Sequence, residues 1–422
     1  MDGLNAVVRW GDRDACRVGG SYVGRRASGT VVEPLLAVGV VVAAFVGFNI
    51  GGSSTGVSFG PAVGSRVCSK TAAAALMSAF ALLGGWTVGR NVIETLGGEI
   101  VPTSAFTLAA SVGVLFFVGL ALLVSNVFGV PASTSMTAVG AIAGLGAATG
   151  TLNADVLLRI VGWWLVAPVV AFWVCAVVGR YLYPYLDAAF AIDRSVGAPI
   201  EVDGGRPRVA ADATARELVG TAAVLAVACY MAFSAGASNV ANAVAPLVGN
   251  GAVTAGEGVL LAGAAIAVGA FTIARRTLDT VGNDLTELPL LAALIVETVS
   301  ATLITLLSAI GIPASLAVSA TMSIVGLGWG RATRTTTLGD AVGGAIAGDR
   351  DTDDRPAVSV NALAGDRAAG DDGVPGMGEE GAELLAEDLF DPGTTGRVVS
   401  FWLLTPTLSF ACSYALFALV PV

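Results

Sequence analysis

The residues of this chain with chemical potential are small, mostly neutral, and occur in pairs of motifs. Gly51-Gly52-Ser53-Ser54-Thr55-Gly56 runs on to Phe59-Gly60-Pro61, and Gly236-Ala237-Ser238-Asn239-Val240-Ala241-Asn242 runs on to Ala245-Pro246. Pro131-Ala132-Ser133-Thr134-Ser135 is matched by Pro313-Ala314-Ser315 and the nearby Ser319-Ala320-Thr321. A Pro followed by small hydroxyl residues suits the start of a helix. Helix starts carry unpaired N–H groups and a partial positive charge, so they attract anions. Ser, Thr and Asn add donors there without a full charge. The pattern predicts helix breaks at all four motifs, with four ends converging to hold a small tetrahedral oxyanion. Close helix packing through small residues is the competing reading, and the pairing of each motif with a Pro argues for the site.

One acid stands apart. Glu297 lies between Leu294-Ile295-Val296 and Thr298-Val299, and a carboxyl group at bilayer depth is costly enough to mark a functional position. It is the candidate ligand for a coupling ion or carrier of a proton. A neutral Glu hydrogen-bonded within the bundle is the alternative. Arg90 with Glu94, and Arg275 with Asp279, stand four apart and read as helix-end anchors. Trp163, Trp164, Tyr181, Tyr183 and Tyr185 read as interfacial belt residues.

The elements that must position these groups are membrane spans. Of the 422 residues, 55% are hydrophobic and only 13% charged, where a soluble domain carries about 25% charge. Several apolar stretches approach the roughly 20 residues needed to cross a bilayer. Spans are predicted at 34–50, 70–89, 104–128, 132–150 and 156–181, then at 217–235, 257–274, 288–310, 313–330 and 398–421. The net charge of −10 is local, because 14 acids and three Arg fall between Asp340 and Asp391. That region reads as a solvated acidic loop. The expected divisions are a polar N-terminal segment at 1–33, a first unit at 34–182, a polar linker at 183–216, a second unit at 217–330 plus 398–422, and the acidic loop at 331–397.

The chain is also written twice. An offset of 185 carries Gly51, Ser53, Pro61, Val63 and Gly64 onto Gly236, Ser238, Pro246, Val248 and Gly249. It also carries Thr87, Arg90, Thr95 and Gly97 onto Thr272, Arg275, Thr280 and Gly282. At an offset of 182, Gly129-Val130-Pro131-Ala132-Ser133 meets Gly311-Ile312-Pro313-Ala314-Ser315. Internal duplication is common in secondary transporters, and units with an odd number of crossings must be inverted relative to each other. The expected fold is therefore an all-α polytopic membrane protein. It has two inverted-topology repeats of about five membrane segments each, with broken helices or re-entrant hairpins.

In these residues the chain resembles the inorganic phosphate transporter family of the PiT type. That family carries a G-A-N-D-V-A-N-x-x-G-P signature in each half, followed by a P-V-S-T-T-H segment. Here Ser54 and Asn239 stand at the signature Asp positions, Val57 replaces the later Asn of the first copy, and Met136 stands at the His position. Ser319-Ala320-Thr321-Met322 fits the second P-V-S-T-T-H segment best, with an insertion of about four residues. Thr95-Leu96-Gly97 and Thr280-Val281-Gly282 are similar to the family's T-I-G turn.

The resemblance implies multi-pass cell-membrane uptake of inorganic phosphate by Na⁺ or H⁺ symport. It implies substrate-binding roles for Ser53, Ser54, Thr55, Ser133, Thr134, Ser135, Ser238, Asn239, Asn242, Ser319 and Thr321. Sulfate or another small oxyanion on the same fold is the alternative, and a non-transporting sensor or scaffold is an alternative of another class. The spans hold no acid pair, Ser/Lys dyad, Cys/His set or Walker loop, and the chain has no His, so an enzyme is not expected. The five dispersed Cys suggest neither disulfides nor a metal cluster. No cofactor is expected, with Na⁺ as a candidate coupling ion. The expected partners are phosphate and membrane lipid but no nucleic acid, with a homodimer as the candidate assembly.

Overall fold

The computed structural model describes residues 34–127, 133–190, 200–203, 206–209, 215–274, 278, 289–335 and 392–420. Pro131, Arg275, Asp279, Thr280, Gly282 and the acidic stretch 340–391 lie outside them. Twelve helices are used below: α1 (Pro34–Gly64), α2 (Lys70–Thr87), α3 (Gly89–Glu94), α4 (Leu108–Val127), α5 (Thr134–Thr149), α6 (Ala154–Val177), α7 (Tyr183–Phe190), α8 (Ala215–Gly249), α9 (Ala255–Thr272), α10 (Leu290–Ala309), α11 (Leu316–Thr335) and α12 (Pro392–Leu419). Seven helical stretches are long and apolar enough to cross a bilayer, and α2 with the segment Gly89–Glu99 makes an eighth, bent by 63°. Helix α5 is a shorter apolar helix. Each predicted span thus has a helix, with shifted bounds.

The largest shift concerns the first pair of motifs, where the predicted breaks are absent. Helix α1 runs through Gly51–Pro61, and α8 runs through Gly236–Pro246. The hydroxyls of the first run bond back onto their own helix: Ser53 Oγ donates to the carbonyls of Asn49 and Ile50, and Thr55 Oγ1 to that of Gly51 at 2.7 Å. These i−3 and i−4 bonds let polar residues stay helical in an apolar setting. Each Pro sits in the last turns of its helix, where little ladder remains to break.

The glycines of these runs have another use. Gly51 lies against the backbone carbonyl of Ile266 on α9, and Gly236 lies against that of Ala81 on α2. Gly84 faces the carbonyl of Phe233, and Gly269 that of Phe48. Both pairs of contacts repeat at the offset of 185, so the duplicated sequence makes duplicated contacts. For the glycines, close packing is therefore the correct reading.

The two halves interlock. Helix α1 packs on α9 and α2 on α8, while α5 packs on α12 and α6 on α11. Exchanging the halves turns each pairing into its mate. Gly39 lies against both Leu247 and Val112, and Gly119 lies against Phe45 and Val46. These contacts set α1 parallel to α4 and put the start of α1 beside the last turn of α8.

The linker adds one short strand pair to the all-helical bundle. Ile200–Asp203 (β1) and Arg206–Val209 (β2) pair antiparallel. The register sets Glu201 opposite Arg208 and Asp203 opposite Arg206. Alternating apolar and polar residues around a Gly-Gly pair favour such strands. The linker otherwise continues α6 through a π turn, Val178–Leu182, into α7.

Candidate oxyanion site

The second pair of motifs does start helices. Ser133 caps α5, its Oγ accepting from Met136 N at 3.3 Å, and Thr137 N donates to Ser133 O. In the second half Ser315 plays the same part, its Oγ accepting from Val318 N at 3.3 Å, with Ser319 N donating to Ser315 O. The helix therefore begins at the residue that the offset of 182 matches to Ser133. The four-residue insertion expected before Ser319 is not needed, and Ser319 and Thr321 lie inside α11. Thr321 Oγ1 bonds to Ala317 O of its own helix.

These two starts meet. Ser135, in the first turn of α5, donates to the carbonyl of Ala314 at 3.1 Å, immediately before α11. Ser238 of α8 donates to the same carbonyl at 2.8 Å, and the hydroxyls of Ser135 and Ser238 are 3.2 Å apart. Asn242, one turn further along α8, reaches Ser135 Oγ and Asn239 Oδ1, each at 3.2 Å. Ser133, Ser135, Ser238, Asn239 and Asn242 are all buried. Three chain segments far apart in sequence thus present two hydroxyls, a carboxamide and a helix N-terminus to one another. Buried polar groups of this kind fix a unique geometry when they are mutually bonded.

The expectation of four converging helix ends is corrected to two ends and one mid-helix face. Ser135, Ser238, Asn239 and Asn242 are joined by hydrogen bonds, and Ser133 and half-buried Thr134 form the helix start beside them. Ser53 and Thr55 spend their hydroxyls on α1, while Ser54 is buried on the same helix. Glu297 is buried in α10 and has no bond to this cluster; its Oε2 has no hydrogen-bond partner.

Two contributors escaped the sequence reading. Ala314 supplies a backbone carbonyl, which no side-chain pattern reveals. Trp164 donates its indole N–H to Pro313 O at 2.8 Å, so it braces the turn that carries Ala314 rather than marking a membrane interface. Tyr183 is likewise internal, covered by the Arg331 guanidinium at 4.4 Å, whereas Tyr181 and Tyr185 are exposed. The predicted Arg90–Glu94 anchor takes another form: the Arg90 guanidinium lies 4.5 Å from the Trp86 ring centroid, and Glu99 pairs with Arg159 at 2.9 Å. The T-I-G-like segment forms a π turn, Thr95–Glu99, at the end of the bent pair.

Fold and cluster define a multi-pass membrane protein built from two matched, interlocked halves. The chain belongs to the phosphate transporter family, whose model matches residues 50–348. A sulfate permease of Bacillus subtilis (strain 168) is 32% identical over 290 residues, covering 68% of this chain and 76% of that protein. A solved structure described as the sodium-dependent phosphate transporter aligns with a TM-score of 0.66 at 18% identity, covering 92% of this chain and 99% of that one. At that identity the likeness speaks to the fold.

Proposed function

We propose that this chain is a secondary transporter that carries a small tetrahedral oxyanion, first of all inorganic phosphate, across the membrane together with a cation. The observation that carries the reading is the meeting of Ser135, Ser238 and Asn242 at the start of α5. An anion leaving water needs donors, and those of Ser135, Ser238 and Asn242, which rest on Ala314 O, Ser135 Oγ and Asn239 Oδ1 in this structure, would turn to it beside the helix N-terminus without a competing fixed charge. Transport then requires this cluster to face each side in turn. The interlocked halves suit that movement, and their duplicated contacts, with the start of α1 beside the last turn of α8, support opposite insertion of the two units.

Family membership supports phosphate. Two observations favour sulfate as the second reading: the relative named a sulfate permease, and the lack of a carboxylate in the cluster, where Asn239 stands at a signature Asp position. Phosphate at neutral pH still carries a proton that seeks an acceptor, whereas sulfate accepts hydrogen bonds only. Proteoliposome uptake of labelled phosphate and labelled sulfate, each competed by the other, separates the readings. Saturable uptake of phosphate resisting excess sulfate would establish the first, and the reverse pattern the second. No uptake or exchange of either would refute transport and leave a sensor or scaffold.

A further inference from the structure

Helix α6 outruns the membrane. With its continuation, the stretch Ala154–Ala188 holds 35 residues, about 52 Å of helix against roughly 30 Å of hydrocarbon. One boundary is marked near its start, where exposed Arg159 pairs with Glu99 at 2.9 Å. Arg180 follows about 32 Å further along the axis, at the depth where the far headgroups begin. Between these two Arg the helix presents an apolar stripe to lipid. Leu165, Val169, Trp173 and Val177 are exposed at every fourth position, and the stripe ends in exposed Tyr181 and Tyr185. Apolar side chains giving way to phenols mark a border between membrane and water.

A second Arg meets Arg180 there. Gly326 and Gly330 of α11 pack on the carbonyls of Phe172 and Ala176, and Gly179 packs on Leu327 O beside the backbone nitrogen of Arg331. The π turn Val178–Leu182 and the last turns of α11 therefore form one close seam, with a guanidinium from each side. Neither snorkels freely into water. Arg180 donates to Thr333 O at 2.8 Å and lies 5.7 Å from the Tyr181 ring, while Arg331 covers buried Tyr183 at 4.4 Å. Both Arg are half-buried.

The charge at the seam is unbalanced. Among the described residues neither Arg is ion-paired. The acid nearest to Arg180 in the chain, exposed Asp187, lies about 10 Å further along the helix. The C-terminus of α11 offers at most about half a negative charge against two guanidinium groups. A guanidinium carries five N–H donors, and Arg180 commits one of them to Thr333. Held donors of this kind bind phosphate oxygens well. Inorganic phosphate supplies the charge alone, whereas a phospholipid also covers the apolar stripe directly below.

We propose that the seam between α6 and α11 binds the phosphodiester headgroup of an anionic phospholipid. Arg180 and Arg331 are its donors, Tyr181 and Tyr185 stand beside the glycerol region, and an acyl chain runs along Val177 and Trp173. The site lies at the opposite end of α11 from Ala314 and Ser315, and it does not depend on the transport reading.

The test uses the full chain, purified in detergent micelles containing phosphatidylcholine and titrated with phosphatidylglycerol. The apparent affinity is read from the saturating rise in Tm. Wild type should show saturable stabilisation by phosphatidylglycerol and none from the same amount of added phosphatidylcholine. Arg180→Gln and Arg331→Gln should each weaken the affinity about fivefold, and the double variant roughly 30-fold. Arg331→Lys keeps the charge and should stay within about threefold of wild type. Arg159→Gln, at the other boundary and beyond the screening length, should stay within about twofold. Arg180 also bonds the end of α11, so each affinity is taken within its own titration. Arg331→Gln, which loses only a ring contact, carries the test if the double variant does not fold. Equal affinity in wild type and Arg331→Gln, or equal stabilisation by the two lipids, would overturn the proposal. Any stabilisation by inorganic phosphate should persist in Arg331→Gln; its loss there would assign the seam to a free anion and overturn the lipid site.

Discussion

Helices α1 and α8 come from one duplicated sequence, and they have kept the same packing while diverging in chemistry. Gly51 and Gly236 meet equivalent carbonyls on α9 and α2. Further along, α1 has Ser53 bonded to its own backbone and Val57, where α8 has Ser238 and Asn242 turned toward α5 and Ala314. The difference separates two uses of small residues. The glycines serve assembly, and both halves need them. The hydroxyl and amide groups belong to the candidate site, and of these two helices only α8 turns them across the helix interface. A duplicated fold can thus hold a single asymmetric site.

The comparison can be broken most severely through the glycines. Gly51→Val and Gly236→Val should each cost about 3 kcal/mol or more, because a side chain at either position overlaps a backbone carbonyl that has no room to move. Both should fail to give monodisperse protein by size-exclusion chromatography in detergent. A stable Gly51→Val beside an unstable Gly236→Val would show that the halves do not share their packing.

Next in size are the polar groups. Asn242→Ala removes a donor of the kind worth about 1.5–3 kcal/mol to a charged ligand, so KM for oxyanion uptake should rise roughly 10- to 150-fold. The counterpart Val57→Ala should leave KM within about twofold. Equal effects at both positions would erase the asymmetry. Trp164→Phe keeps the ring but deletes the hydrogen bond to Pro313 O; a neutral bond is worth about 1 kcal/mol, so uptake should fall about fivefold. Glu99→Ala breaks an exposed ion pair with Arg159 and should lower stability by about 1 kcal/mol or less, seen as a small shift in Tm.

Much of this architecture could be read before the fold was known. A helix at each of the ten apolar stretches, the duplication and the helix starts at Ser133 and Ser315 follow from periodicity, hydropathy and capping chemistry. Among the described residues only seven or eight of those helices are long and apolar enough to cross. The unbroken course of α1 and α8 does not, because Gly and Pro mark breaks unless a partner backbone occupies the space beside them. Here the partners, Ile266 and Ala81, lie in the other half. The hairpin at 200–209 was legible in the alternation around Gly204-Gly205 and was subsumed in a polar linker. In the cluster, Ser135, Ser238 and Asn242 were among the residues to which the family resemblance points by position. Ala314 and Trp164 were not, since one contributes only backbone and the other acts across 149 residues of sequence.

The central claim concerns where the anion is held, and matched serines test it most directly. Equilibrium binding of labelled phosphate and sulfate should be measured on purified wild type, Ser238→Ala and Ser53→Ala. Ser238→Ala should weaken binding of the transported anion by roughly tenfold or more, with Ser53→Ala unchanged within about twofold. Loss of binding in Ser53→Ala with Ser238→Ala intact would contradict the account.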